Sequence, residues 1–366
     1  MPATRLPRAG ENDCASPVTM NALKPITVVG GGLAGLTLGI GLRQKGIPAT
    51  VWEAGGYPRH RVCGEFISGD GLAVLERLSL LSPILQAGAR QASTVAFFTG
   101  SKASPEQKLP RPAVCLSRFK LDALLAEQFR EHGGELRAHQ RWSKSEFGEG
   151  IVRASGRRLQ PVDQGWRWFG LKAHARNVSL ITDLEMHFAG DSYVGLCRLS
   201  DDEVNVCGLF RRRAGESEAV QNWERRLRGR AGSLLFRKLE GAVFLPESFC
   251  AVAGLSLCPN SAGQLDEVRL GDALTMIPPV TGNGMSLAFE SAELAVEPLV
   301  AFSRGESQWS ETQQVIAQRC DETFARRLAW ASGLQRALFN RIARSLLLSA
   351  ASHCSPLWWL FFLRTR

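Results

Sequence analysis

Three glycines with the spacing GxGxxG, Gly30, Gly32 and Gly35, lie between an apolar β-branched run and a run of small and apolar residues. Gly30 would allow a tight turn, Gly32 would let a pyrophosphate approach the backbone, and Gly35 would let a helix pack closely on a strand. The next apolar run ends at Glu53, where a carboxylate can accept hydrogen bonds from ribose hydroxyls. The pattern predicts a dinucleotide site at a helix N-terminus, and the acid at position 53 disfavours a 2′-phosphate there.

A second glycine-rich segment begins at Gly271 and Asp272 and leads into a long apolar-faced helix predicted from Gly284. A helix that starts here would point free backbone N–H groups and the positive end of its dipole at a ligand. NAD requires one such loop, whereas the longer FAD can use two, one for the pyrophosphate and one for the ribityl chain and flavin ring. The two loops together therefore predict FAD.

These segments resemble the flavoprotein superfamily that joins p-hydroxybenzoate-hydroxylase-type monooxygenases with geranylgeranyl reductases. The shared pattern is GD, six residues, P, two residues and GxG, which here is carried by Gly271, Asp272, Pro279, Gly282 and Gly284. The resemblance implies that Asp272 binds the ribityl hydroxyls. It also implies that amides near Gly282, Asn283, Gly284 and Met285 stabilise negative charge on reduced flavin, as preorganised donors at a helix start would.

A cysteine-containing loop, residues 58–68, resembles a motif of the geranylgeranyl-reductase branch in which Cys63 and Gly64 would lie beside the flavin ring. The neighbouring Arg59 and Arg61 are expected to lower the pKa of the Cys63 thiol and to attract a pyrophosphate or a nicotinamide cofactor. The alternative is a buried or incidental cysteine in a basic loop.

The start of a later helix also resembles the family, because Ser117, Arg118, Leu121 and Asp122 match an SRxxLD pattern whose arginine lies near the FAD phosphates. Two departures stand beside these matches. The hydroxylases' DG motif is replaced by ASGRR from Ala154, so binding of NADH or NADPH cannot simply be carried over. The reductases' YxWxFP signature is absent too, and no proline follows WRWF at 166–169 as it does in flavin halogenases.

Side chains on the predicted strands of the second domain offer further chemistry. Trp166 and Trp168 could line an apolar pocket or form core, with core favoured. Lys172 and His174 lie on one strand face, and His187 lies on a later strand. A general acid is one interpretation of these histidines, and a structural role is the commoner one.

Bulk composition fits a globular protein of 366 residues with 45% hydrophobic and 22% charged residues. Nine cysteines without a CxxC pair argue against a disulfide framework or a metal site and favour a reducing cytoplasm. The net charge of +9 does not indicate nucleic acid binding, because much of the excess lies beyond Glu322, where no acidic residue occurs. That tail alternates arginines with apolar clusters, which suits either a helical lid or an amphipathic contact with an anionic membrane.

The element pattern predicts an α/β fold: a Rossmann-type FAD-binding domain with an inserted antiparallel β-sheet substrate domain and a C-terminal helical segment. It includes a short strand pair at 135–140 and 150–158, a helix from Gly69 to Leu81 and a strand just before Gly271. The predicted boundaries are a disordered extension at 1–24, the FAD-binding domain at 25–92, 113–163 and 264–302, the substrate domain at 93–112 and 164–263, and the helical tail at 303–366.

The predicted function is that of an FAD-dependent oxidoreductase. The first hypothesis is a reductase that takes electrons from NADH, NADPH or another donor and delivers hydride to a small, mainly apolar substrate, isoprenoid-like or polyketide-like. A monooxygenase of the same architecture is the close alternative. A non-catalytic flavin-binding or lipid-binding protein is the third.

Overall fold

The computed structural model describes residues 22–100, 102–143, 147–157, 159–160, 162, 165–215, 222–353 and 355–366. Most of the predicted extension at 1–24 lies outside these residues. The helices are α1 (Leu33–Gln44), α2 (Asp70–Arg77), α3 (Leu81–Gln86), α4 (Arg118–Glu131), α5 (Trp223–Arg228), α6 (Leu234–Leu239), α7 (Gly284–Ser303), α8 (Trp309–Leu338), α9 (Arg341–His353) and α10 (Ser355–Arg364). The strands are β1 (Ile26–Val29), β2 (Ala49–Trp52), β3 (Phe66–Ile67), β4 (Arg90–Thr99), β5 (Lys102–Ala103), β6 (Gln107–Cys115), β7 (Glu135–Arg137), β8 (Ile151–Arg153), β9 (Trp166–Arg176), β10 (Leu184–Phe188), β11 (Ser192–Arg198), β12 (Val204–Arg213) and β13 (Val243–Ala253).

A four-stranded parallel sheet in the order β7, β2, β1, β8 is built from strands in the first half of the chain. Strand β1, helix α1 and strand β2 make the predicted βαβ unit, and α1 is buried along almost its whole length between the sheet and α7. Small residues on α1 permit that closeness, since a Cβ at Gly39 would lie 2.7 Å from the Phe129 ring and one at Gly41 would lie 2.8 Å from Val296. These glycines thus let α1 pack closely against its neighbouring helices.

The predicted pairing of the two short strands in this sheet is wrong. Strands β7 and β8 lie at opposite edges, with β2 and β1 between them. Each runs parallel to its inner neighbour, and parallel strands cannot be joined by a tight hairpin.

A larger sheet in the order β13, β9, β12, β11, β10, β4, β6, β3 packs beside the first, with β5 paired to β4. The four predicted strands β9 to β12 pair antiparallel, as expected. The sheet as a whole is nevertheless mixed, because β10 lies parallel to β4, which comes about ninety residues earlier in the chain. Strand β3 follows the cysteine loop directly and forms the edge of this sheet, so the loop spans the gap between the two sheets.

Two further elements differ from their predictions. The segment from Gly69 to Leu81 contains two helices, α2 and α3, because Ser79 adopts a positive φ of 59° and ends the first. The residues before Gly271 make a single parallel bridge, Arg153 with Arg269, since the chain turns into a 3₁₀ turn at Gly271–Ala273. The fold class itself is confirmed: an α/β nucleotide-binding domain, a curled second sheet and C-terminal helices. No helix among the described residues is long and apolar enough to cross a membrane.

Candidate FAD site

A cavity of about 1010 Å³ lies between the two sheets. One end is lined by both glycine-rich loops, through Gly30, Gly32, Asp272 and Gly284. The other end is lined mostly by apolar side chains, which are Phe97, Leu109, Met186, Phe188, Leu334, Leu338, Leu347, Leu348, Trp358 and Phe361. The cavity therefore joins the predicted cofactor loops to an apolar chamber, and its size is at the upper end for ligand pockets.

The first glycine loop has the geometry that a pyrophosphate requires. A Cβ at Gly30 would lie 2.3 Å from the Ala154 oxygen, and one at Gly35 would lie 1.9 Å from the Gly30 oxygen. At Gly32, by contrast, a Cβ would meet nothing within 4 Å. Helix α1 begins at the next residue, so open space lies directly in front of its unpaired N–H groups. These residues fit the diphosphate of FAD.

Glu53 ends β2 beside this loop, and its carboxylate already has partners. It accepts hydrogen bonds from the amides of Gly31 at 2.9 Å and Gly55 at 2.7 Å. Arg59 donates to both carboxylate oxygens, at 2.5 and 2.9 Å. Burial opposes ionisation, but the hydrogen bonds from Arg59 and the amides outweigh it and lower the pKa of Glu53 to about 2. A ribose would share this carboxylate with Arg59, which the sequence suggested as a partner of the Cys63 thiol instead.

The second glycine loop places Asp272 opposite α1. A 3₁₀ turn starts at Gly271, whose φ is +57°, and the Asp272 side chain faces the cavity. Burial raises the pKa of Asp272, while Arg157 and Arg118 act to lower it. A carboxylate at this depth fits the hydroxyls of a ribityl chain.

The loop then turns through Pro279 and Gly282 into helix α7. A Cβ at Gly282, where φ is +65°, would lie 2.1 Å from the Phe66 ring, so this position needs glycine. The first turn of α7 begins at Gly284 and Met285, beside the cavity. Asn283 is fully buried, and its side-chain amide donates to the Thr365 carbonyl at 2.9 Å. The backbone amides at this helix start remain the groups that fit an anionic flavin ring.

The cysteine loop lines the cavity between the two glycine loops, through Arg61, Cys63 and Gly64. The expected effect of Arg59 and Arg61 on the thiol is wrong. Burial raises the pKa of Cys63, and Arg118 only partly opposes it. Because Arg59 is engaged by Glu53, the thiol lacks one of the two cations that the sequence suggested.

Cys63 is therefore expected to react slowly with iodoacetamide at neutral pH, because the thiolate is the reactive form and burial disfavours it. The measurement is mass-spectrometric mapping of alkylation over time in the folded protein. Cys258, which is exposed, serves as the internal control. Alkylation of Cys63 as fast as that of Cys258 would show a thiolate and contradict the structure.

Two arginines approach the cofactor end of the cavity. Arg118 at the start of α4 forms a bidentate pair with Asp122, at 2.6 and 2.9 Å, and this pair outweighs burial and raises the arginine's pKa. Arg157 lines the cavity close enough to Asp272 to influence its pKa. In the sequence, this segment differs from the hydroxylases by its missing acid. The arginines that follow Gly156 in this stretch were the available signal for a cationic wall.

A buried ionic cluster holds the cysteine loop to the second sheet. Glu65 accepts from Lys172 at 3.2 Å and lies 2.7 Å from His174 Nε2, and the other ring nitrogen of His174 lies 2.6 Å from Glu203. Although burial opposes it, the contacts from His174 and Lys172 lower the pKa of Glu65. The interactions of His174 favour a structural role over general acid catalysis.

Side chains of the types that bind metal ions also come together in this cluster. His60, Glu65 and His174 place their potential ligand atoms within 4.8 Å of one another. The ammonium group of Lys172 lies between them, 3.1 Å from His60 Nδ1. A lysine cation there competes with a metal ion, so we assign the group no metal. His187 makes a separate contact with Glu185 at 3.0 Å and stacks on Phe98.

The C-terminal helices form one wall of the cavity. Leu347 and Leu348 of α9 and Trp358 and Phe361 of α10 are lining residues. Trp358 also donates from its indole to the Lys108 carbonyl at 3.1 Å. The prediction that the tail forms a helical lid packed on the protein is confirmed for the side of α9 and α10 that lines the cavity. Trp168 packs in the core against Phe339, as the core interpretation predicted. The two rings meet edge to face, and their centroids lie 4.9 Å apart.

Comparison with known proteins agrees with this geometry. Residues 24–160 match a family described as FAD binding domain. No curated protein sequence matches the chain. Among solved structures, a triple mutant of the flavin-dependent brominase Bmp2 has a TM-score of 0.71 at 15% identity, covering 93% of both chains. PqsL of P. aeruginosa with 2-aminobenzoylacetate has a TM-score of 0.66 at 15% identity, covering 88% of this chain and 98% of its own. The myxobacterial chondrochloren halogenase CndH has a TM-score of 0.65 at 20% identity, covering 89% of this chain and 82% of its own.

These likenesses to solved structures are remote and show the shared fold. The family match covers the βαβ unit, the cysteine loop and the segment up to Gln160, including the open space before α1. The chain is an FAD-dependent oxidoreductase that carries an FAD binding domain at residues 24–160.

Proposed function

We propose that the protein is an FAD-dependent monooxygenase that hydroxylates a mainly apolar substrate, isoprenoid-like or polyketide-like. The observation that carries the proposal is one continuous cavity that joins both glycine loops to an apolar chamber closed by α8, α9 and α10. Among the structural neighbours, PqsL is described as a probable FAD-dependent monooxygenase. The chemistry that bound FAD supplies is two-electron reduction followed by activation of O₂.

The residues of the chain would hold the cofactor and keep water out. Asp272 would accept hydrogen bonds from the ribityl hydroxyls, and the amides at the start of α7 would stabilise negative charge on the ring. The neutral thiol of Cys63 would add an uncharged wall beside it. Apolar side chains from β4, β10 and the C-terminal helices would bind the substrate and exclude water, which protects a reactive oxidant from loss.

Electrons would come from NADH or NADPH bound for a short time at the cofactor end. Arg61 lines the cavity there. Its side chain forms no ion pair within 4.0 Å with any acidic residue that the structure describes, whereas Arg59 nearby pairs with Glu53. A guanidinium in such a position suits a phosphate group. We propose Arg61 as a contact for the donor.

Alkylphenols of increasing chain length test the function. The purified protein should show flavin absorbance with FAD, and NADH or NADPH should bleach it without oxygen. Each added methylene is expected to lower KM about fourfold until the chamber is filled, from about 0.8 kcal/mol per buried CH₂. Oxygen uptake should match hydroxylated product, as measured with an oxygen electrode and mass spectrometry.

A reductase is the second candidate, and the Cys63-Gly64 sequence of the geranylgeranyl-reductase branch favours it. Its outcome is distinct: an alkene substrate would be saturated under anaerobic conditions, with no oxygen consumed. That result would overturn the monooxygenase. A flavin that no donor reduces would instead favour the non-catalytic alternative.

A further inference from the structure

Helix α10 is apolar on two opposite faces. Trp358, Phe361 and Phe362 face the cavity or the core. A second row faces away from the cavity and consists of Trp359 and Leu363, four residues apart, with Leu360 beside them. The exposed fractions of these side chains are 48% for Trp359, 58% for Leu363 and 39% for Leu360. A helix that only roofed the cavity would carry polar residues on its outer face. The outer row therefore requires a separate explanation.

Helix α9, which precedes α10, also exposes large apolar side chains. Ile342 is 74% exposed and Leu346 is 67% exposed, one helical turn apart on the same face. Single exposed apolar side chains are ordinary, but five large ones on two consecutive short helices indicate a contact surface. We call Ile342, Leu346, Trp359, Leu360 and Leu363 the outer apolar face.

The charged side chains that α9 and α10 themselves carry are all positive. Arg326, Arg336, Arg341 and Arg364 are all exposed on α8, α9 and α10. No acidic residue follows Glu322 in the chain. Apolar side chains flanked by cations match an anionic lipid surface, where the former enter the interface and the latter meet headgroup phosphates. A second copy of the same face would bring arginines against arginines, which disfavours self-association through it.

We propose that the outer apolar face docks the protein on an anionic bilayer, with α9 and α10 lying between the membrane and the cavity. The same two helices line the chamber on their inner side, so an apolar molecule leaving the bilayer would meet the cavity wall directly. This second clause rests on the proposed function, because it assigns the bilayer as the source of an apolar substrate. The docking itself depends only on the surface.

Vesicle co-sedimentation tests the docking with the full chain. Parent protein is mixed with vesicles of phosphatidylcholine or of phosphatidylcholine with phosphatidylglycerol at low salt. We expect binding to the anionic vesicles and little to the neutral ones. A Trp359→Ser/Leu363→Ser variant should bind the anionic vesicles at least about tenfold more weakly, given the value of burying two large apolar side chains.

The matched control is Ile181→Ser, which removes an exposed apolar side chain, 64% exposed, between β9 and β10. It should bind as the parent does. A second arm, Arg336→Gln/Arg341→Gln/Arg364→Gln, should weaken binding by about fivefold per charge at low salt and by less at high salt. Both variants change exposed side chains, so flavin absorbance and the unfolding temperature should stay at the parent's values.

Several outcomes would overturn the docking. One is parent protein that stays in the supernatant with anionic vesicles, and another is equal binding to neutral vesicles. A third is a self-associated parent, seen by sedimentation velocity, that becomes monomeric in the Trp359→Ser/Leu363→Ser variant without any vesicle binding. If vesicles bind as expected but no apolar substrate is turned over, the proposed function fails while the docking stands.

Discussion

The Gly32→Val variant is expected to lose FAD on purification while its unfolding temperature without FAD stays within a few degrees of the parent's. A valine side chain would enter the open space before α1, because a Cβ at this position meets nothing within 4 Å. The backbone at Gly32 has φ −87° and ψ −170°, which a β-branched residue adopts readily. The chain can therefore accept the substitution, whereas a diphosphate against the helix N-terminus cannot.

The expected size of the effect follows from what the side chain displaces. The pyrophosphate would lose its close approach to the amides at the start of α1, so affinity should fall by a factor of about a hundred or more. Absorbance in the visible region after reconstitution gives the FAD content, and titration with FAD followed by flavin fluorescence gives the dissociation constant.

Gly35→Ala is the contrasting variant. Its Cβ would lie 1.9 Å from the Gly30 oxygen, so α1 would have to move away from the β1 turn. Overpacking of this kind costs about 1–3 kcal/mol, and we expect a lower unfolding temperature even without FAD. A yellow Gly32→Val protein, or one that is as unstable as Gly35→Ala, would contradict the placement of the pyrophosphate.

The contrast between these two glycines shows what local sequence can predict. The spacing of Gly30, Gly32 and Gly35 predicts the βαβ unit because the turn, the helix start and the first close contact all lie within ten residues. The roles of the three glycines require only that short segment. The same reasoning holds for Gly271 and Gly284, which flank one continuous loop.

Contacts between residues that lie far apart in the chain could not be predicted from the sequence. Nothing near β10 indicates that it will lie parallel to β4, since that pairing depends on where the whole hairpin series is placed. Arg59 illustrates the same limit for the site. Only three residues separate Arg59 from Cys63, but the loop turns Arg59 back to Glu53, and the thiol is left buried without it. Proximity in sequence gave the wrong partner because a loop reverses direction within a few residues.

The second large effect is expected from Lys172→Met, which should destabilise the folded protein by about 3–5 kcal/mol. Lys172 and Glu65 are both completely buried, and their charges lie 3.2 Å apart. Without Lys172 the buried Glu65 carboxylate keeps His174 as a partner but loses its lysine, and breaking a buried pair costs far more than the loss of a surface pair. Urea denaturation followed by circular dichroism measures the change in the free energy of unfolding.

The matched control is Lys45→Met, the same substitution in a salt bridge with Glu297 in which the two side chains are 50% and 60% exposed. That change should cost no more than about 1 kcal/mol. Equal losses in the two variants would mean that the buried cluster contributes nothing beyond an ordinary ion pair.

The pH dependence tests the same cluster by a route that a general packing defect would not follow. The folded-state pKa of Glu65 is lowered, so its ionisation adds stability that is present above the unfolded-state pKa and is lost as the pH falls through the folded-state pKa. Without Lys172 the folded-state pKa of Glu65 should rise, and less stability then remains to be lost on acidification. The difference in unfolding free energy between parent and Lys172→Met should therefore shrink as the pH falls from neutral towards the acid range. A difference that stays constant over this range would show that the variant suffers only from lost packing. Because Glu65 anchors the loop that carries Cys63 and Gly64 along the cavity, a confirmed coupling would also mean that acid conditions loosen one wall of the FAD site.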